Sequence, residues 1–177
     1  MERTVERQRE QEPRELIYDH IYSWINQRMQ LASEGKVVLK GETIPWEQNR
    51  QGLIRFYIHP QNWTQVAAPG WVVHRQRIRT QSGKHTHQGG TVIFVLEGRG
   101  YTVVDGTRFD WEEGDLIILP IKPNGCEHQH FNTDPNKPSE WLAISHDCYY
   151  MAIGKILEQK ENHPDWKGTV APPPHVT

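Results

Sequence analysis

The spacing of hydrophobic and polar positions changes period twice along the chain, and these changes outline its elements. Residues 1–12 alternate charge with no apolar periodicity, the pattern of a solvated arm. From Pro13 onward Leu16, Ile17, His20, Ile21, Trp24, Ile25 and Met29 recur at three- and four-residue spacing, which predicts one amphipathic helix. Pro13 suits its first turn and Gly35 its stop. After residue 37 the period falls to two, or to short apolar runs broken by Gly, Pro and Asn. Residues 37–39, 53–58, 71–78, 91–96, 100–104, 116–119, 127–132 and 140–145 read as strands. Asp105-Gly106, between two alternating runs, is a strong two-residue hairpin signal. Strands this short and this closely spaced predict an all-β sandwich or barrel. Residues 149–160 turn helical again, before Pro172-Pro173-Pro174 excludes further helix. The expected division is an arm and helix over 1–36, a β-barrel over 37–148, and a short C-terminal helix with a proline-rich tail over 149–177.

Composition narrows the partners. A chain of 177 residues accommodates one such barrel with extensions but not two, and no internal repeat is visible. A formal net charge of −2 carries no basic excess that would mark a nucleic-acid surface. No apolar stretch reaches the length of a membrane span, and residues 1–7 lack the apolar core of a signal peptide, so a cytoplasmic protein is expected. Cys126 and Cys148 are too few for a disulfide framework and are expected to be reduced.

The candidate chemistry lies in two clusters. In an extended strand, residues two apart point the same way, so His85 and His87 of His85-Thr86-His87 can grip one ion with neutral imidazoles. Gly83 precedes the pair, and an apolar run over 92–96 follows it. Burying bare imidazoles without partners is costly, which favours a metal site over a structural role for this pair. The second cluster is Pro123-Asn124-Gly125-Cys126-Glu127-His128-Gln129-His130-Phe131-Asn132, in which Cys126, His128, His130 and Asn132 share the parity expected to face the barrel interior. His20, His59, His146, His163 and His175 are isolated and are expected to be structural or surface residues.

These clusters resemble the paired signature motifs of the cupin superfamily. Gly83, His85 and His87 fit the first motif, and Pro123, Gly125, His128 and Asn132 fit the second, over about residues 70 to 147. Where most cupins place a glutamate ligand this chain has Thr91, and its second cluster holds two histidines two apart. In both respects it is similar to the gentisate and salicylate 1,2-dioxygenases, ring-cleaving iron enzymes. That resemblance implies a single jelly-roll barrel binding Fe(II) through His85, His87 and His128, with His130 as an acid/base or substrate-contacting group. The reverse assignment, with His130 as third ligand, stays open. Three neutral ligands leave about half of an octahedral shell for substrate oxygens and dioxygen, though the same set also serves Zn, Mn or Ni.

In the gentisate-type enzymes an arginine eight residues after the first motif histidine holds the substrate carboxylate. Here that position is Ile93, which cannot pair with an anion. Arg75 and Arg77, on the preceding strand, are the candidate replacements, Trp71 a candidate stacking surface and Cys126 a candidate neighbour of the metal. The expected function is a dioxygenase of aromatic compound catabolism acting on a hydroxylated aromatic or enol-bearing small molecule with O2, in a homodimer or higher homo-oligomer. A non-oxidative metal cupin (lyase, isomerase or hydrolase) and a non-catalytic ligand-binding cupin are the alternatives.

Overall fold

A computed structural model describes residues 16–152, 154 and 156–168. Helix α1 (Ile17–Glu34) and a 3-10 turn at Gly41–Thr43 lead into β1 (Glu47–Asn49) and β2 (Gly52–Ile58). Then come β3 (Trp71–Ile78), β4 (Lys84–His87), β5 (Val92–Glu97), β6 (Arg99–Val104), β7 (Thr107–Glu112), β8 (Leu116–Ile118), β9 (Cys126–Asn132) and β10 (Ser139–His146). Helix α2 (Asp147–Ala152) and β11 (Leu157–Glu161) complete the described chain. The strands form two antiparallel sheets, ordered β1-β2-β3-β10-β5-β8 and β11-β4-β9-β6-β7, which face one another as a single β-barrel.

Strand alternation builds the interior. Ile78, Val95, Trp111, Leu119, Cys126 and Trp141 are all buried in one core cluster between the sheets. The β6–β7 hairpin turns at Asp105 (φ 47°) and Gly106 (φ 81°), the two successive left-handed residues whose twist matches that of the flanking strands.

Two expectations are corrected. Residues 37–39 form no strand: Val37 and Val38 are 84% and 67% exposed, and an apolar run without a neighbouring strand gains nothing from extension. The segment 149–160 is not one helix. Helix α2 ends at Ala152, Gly154 has φ 77°, which a helix does not admit, and Leu157–Glu161 instead pairs with β4, whose open edge supplies hydrogen-bonding groups that a helix would leave unused. Helix α1 forms as its periodicity requires, yet none of its residues is buried. The arm over 1–12, Pro13 and the proline-rich tail lie outside the described residues. Among the described residues no helix is long and apolar enough to cross a membrane.

Burial predicts unequal sensitivity on the two faces of the sheets. Ile78→Ala, at a side chain with no exposed surface, should cost about 2–5 kcal/mol in chemical denaturation. Ile118→Ala, at a residue 66% exposed, should stay within about 0.5 kcal/mol.

Candidate metal centre

The site begins with strand register. Strand β4 pairs with β9 so that His85 lies opposite His128 and His87 opposite Cys126. His85 and His87 share a face of β4, and the pairing carries His128 to that same face. Ligand-capable nitrogens of the three rings all lie within 4.8 Å of one another. Imidazole nitrogens sharing one cation at about 2.1 Å stand about 3 Å apart, so small side-chain rotations close the set. Gly125 allows this approach: at φ 80°, a Cβ there would lie 2.8 Å from Thr86 Cγ2 and 2.9 Å from the His87 carbonyl oxygen.

The protonation chemistry suits a divalent cation. Burial pushes the His85 pKa well below the usual histidine value, reinforced by His128 and His87, and burial also lowers that of His128. All three rings line the cavity, so the surface that His85 and His87 retain opens into it. His128 Nδ1 donates to the Cys126 carbonyl at 3.1 Å, which leaves Nε2 unprotonated for a metal. His85 Nδ1 is buried with no hydrogen-bond partner. His87 differs, because its Nδ1 accepts the Gly89 N–H at 3.0 Å. Its proton then sits on Nε2 in the neutral ring, and metal capture there must displace either that proton or that hydrogen bond.

His130 lies outside this three-residue group, with its ring centroid 5.5 Å from that of His128 and 4.6 Å from that of Trp141. Its Nδ1 is 2.7 Å from Thr102 Oγ1, which also accepts the Trp111 indole N–H at 3.0 Å. Thr102 is fully buried, and among the described residues its hydroxyl has no other acceptor than His130 Nδ1. That bond places the His130 proton on Nε2. Burial holds the ring neutral, with its pKa well below the usual value, so His130 is a hydrogen-bond donor rather than a cation.

The histidines open into a cavity of about 500 Å³ whose apolar wall includes Ile54, Phe56, Ile93, Leu119 and Trp141. Thr91 also lines it. Four expected contacts are corrected. Arg75 and Arg77 point to the opposite face of β3, where both pair with the buried carboxylate of Glu140 outside the cavity. Trp71 is 39% exposed and packs edge-on to His146, while Trp141 takes the cavity wall. Cys126 is buried off the wall with Sγ 4.0 Å from His128 Nδ1, and burial raises its pKa and keeps the thiol protonated.

Sequence reasoning gave no role to two groups of this cavity. His74 alternates inward on β3 with Gln76, opposite in parity to Arg75 and Arg77, so the strand pattern could have found it. Burial alone brings its pKa down to about 4. Tyr150 reaches the wall from α2, and no periodicity in the sequence signals that placement.

Residues 66–145 match the protein family described as Cupin domain. Over 140 residues the chain is 29% identical to 5-aminosalicylate 1,2-dioxygenase of Comamonas sp, an alignment covering 78% of this chain but 34% of that protein. The chain thus spans about a third of the length of that relative. The structure of the polyketide cyclase RemF from Streptomyces resistomycificus superposes with a TM-score of 0.53 at 16% identity, covering 73% of this chain and 89% of that one. A point mutant of salicylate 1,2-dioxygenase from Pseudoaminobacter salicylatoxidans, solved in complex with gentisate, superposes at TM-score 0.51 and 18% identity, covering 94% of this chain and 53% of that one. At these identities the two structures establish the shared fold.

The buried histidines make stability depend on acid. His74 takes up a proton near pH 6.5 when unfolded but only near pH 4 in the barrel, so between these values the unfolded chain binds more protons. Its contribution is complete above about pH 6.5 and is lost as pH falls toward 4, amounting to about 3 kcal/mol. His85, His128 and His130 shift in the same direction. Urea denaturation of chelator-treated protein at pH 7 and 4.5 should show this loss, and His74→Phe should flatten the slope.

Proposed function

Residues 66–145 match the Cupin domain family within a barrel of the same fold, and from that premise we propose that the chain is an iron(II)-dependent dioxygenase of hydroxylated aromatic or enol-bearing small molecules. The observation that carries this reading is the cluster of His85, His87 and His128 with Thr91, not a carboxylate, beside them in the cavity. Such a donor set holds a divalent cation through neutral ligands and leaves coordination positions for a substrate and dioxygen together. The likeness to 5-aminosalicylate 1,2-dioxygenase supports the same class of reaction. Bound there, iron(II) would supply Lewis acidity and electron exchange with dioxygen.

The chain's own groups set the conditions for that chemistry. Ile54, Phe56, Ile93, Leu119 and Trp141 exclude water and bound a space suited to a ring. His130, fixed by Thr102, is oriented to present its Nε2–H to an oxygen in the cavity and would stabilise negative charge developing there by that hydrogen bond. Ile93 offers no charge to a carboxylate, so the favoured substrate carries hydroxyl or enol oxygens and no carboxylate requirement. A second reading, a zinc, manganese or nickel cupin with non-oxidative chemistry, follows from the same ligand set, which equally suits zinc. Turnover under strict anaerobiosis distinguishes it.

Two results are expected. His85→Ala, His87→Ala and His128→Ala should each sharply lower bound metal in elemental analysis while circular dichroism stays unchanged, whereas His130→Ala should retain metal and lose turnover. An emptied site in His130→Ala with a filled one in His128→Ala would reverse the ligand assignment. In an aerobic panel with iron reconstituted, gentisate and salicylate should be turned over on the order of a hundredfold less efficiently than uncharged polyhydroxylated rings, the scale of a lost buried charge-assisted pair. Efficient gentisate cleavage would contradict the inference from Ile93.

A further inference from the structure

The cavity wall holds two hydrogen-bonding side chains that the protein itself leaves unused. His74 projects inward from β3 with Phe56 and Ala143 as its cross-strand neighbours, and the small Ala143 leaves space beside the imidazole. Its Nδ1 is buried with no partner, so Nε2 is the nitrogen it can offer to the cavity. A buried lone pair is tolerated better than a buried orphan N–H, which places the proton on Nε2 and makes His74 a donor. Tyr150 comes from α2, only 7% exposed, and its hydroxyl has no hydrogen-bond partner among the described residues.

The loop facing Tyr150 explains why that hydroxyl stays unpaired. A Cβ on Gly90 would lie 1.3 Å from the Tyr150 hydroxyl oxygen, so no side chain fits there to pair with it. The Gly90 N–H is already committed to the Leu119 carbonyl at 2.9 Å. Gly90 follows His87 by three residues, so this hydroxyl stands one short loop from the histidine cluster. Among the described residues of the wall the formally charged side chains are Arg50 and Asp147, opposite in sign, so the side chains themselves add no net positive charge to that of a bound cation.

We propose that His74 and Tyr150 form a metal-independent polar clamp, hydrogen-bonding a substrate hydroxyl or carbonyl other than those at the metal and selecting uncharged oxygenated rings or enols over aromatic carboxylates. The clamp rests on the reading of this cavity as the substrate site. His74 donates to a ligand oxygen through Nε2, and Tyr150 donates or accepts as the ligand requires. Each contact engages a polar atom on the cavity wall that no side chain among the described residues pairs with, and an apolar ring of the same size would make neither bond.

The test uses resorcinol, an uncharged dihydroxybenzene that does not chelate, with benzoate as the anionic and toluene as the apolar comparator. Binding to the full-length protein is measured anaerobically by calorimetry and protein-observed NMR. Wild type should bind resorcinol at least about tenfold more tightly than benzoate. Tyr150→Phe and His74→Phe, which keep the ring volumes, should each weaken resorcinol by about fivefold or more, the scale of one hydrogen bond, and leave toluene unchanged. Equal resorcinol affinity in wild type and both variants, affinity no better than for benzoate, or no resorcinol binding would each overturn the clamp. Resorcinol needs no metal. An empty histidine cluster would therefore sink the dioxygenase reading while leaving the clamp result standing, and a failed clamp on metal-loaded protein would do the reverse.

Discussion

The pairing register of β4 against β9 is the constraint on which the rest of the site depends. With a side-chain period of two, a one-residue slip would send His85 and His87 to the outer face and leave His128 alone. Hydrogen bonds from Ser82 and Gln129 hold that register. Ser82, fully buried just before β4, donates its N–H to the His130 carbonyl at 2.8 Å and accepts the His130 N–H on Oγ at 2.9 Å. Gln129 Nε2 donates to the Ser82 carbonyl at 2.9 Å. At the other end Asp105 accepts the Glu127 N–H at 2.9 Å, so the tight β6–β7 turn also anchors the start of β9. On the far side of β4, β11 pairs along the edge, with Gln159 opposite His85 and Leu157 opposite His87.

Electrostatics follows from that packing. Four histidines, His74, His85, His128 and His130, share one enclosure with a largely apolar wall, and burial is the leading cause that keeps each of them neutral. A neutral imidazole is what a metal requires, so the acid sensitivity of the fold and its capacity to take a cation have one origin. The same enclosure sorts the rings by their hydrogen bonds. His128 is turned by the Cys126 carbonyl, His130 by Thr102, and His74 by nothing, which is why they can serve different ends while sharing a residue type.

Much of this was legible in the sequence because it rests on local rules. The His85-Thr86-His87 spacing, the Gly125-to-His128 step and the Asp105-Gly106 turn each encode a geometry within a few residues. What escaped depends on which distant element lies alongside. Residues 37–39 have strand composition but no partner strand, and 157–161 become a strand because the edge of β4 is open. Arg75 and Arg77 drew notice as cations, but their parity sends them to Glu140, and the inward parity of the same strand belongs to His74 and Gln76. Trp71 and Trp141 are equally aromatic in sequence, and only the packing of the sheets decides that Trp141 faces the cavity. The stripe on α1 gave the helix correctly but not its surroundings, since periodicity reports a face and not what covers it.

The central claim is that three imidazoles, with no carboxylate, hold the metal of this barrel. X-ray absorption spectroscopy on anaerobically purified protein tests it most directly. The account predicts an iron edge with three imidazole rings in the inner shell at about 2.1 Å, the remaining positions filled by light, exchangeable oxygen ligands. A protein-derived carboxylate or thiolate bonded to the metal, or a barrel isolated without a stoichiometric metal, would contradict it.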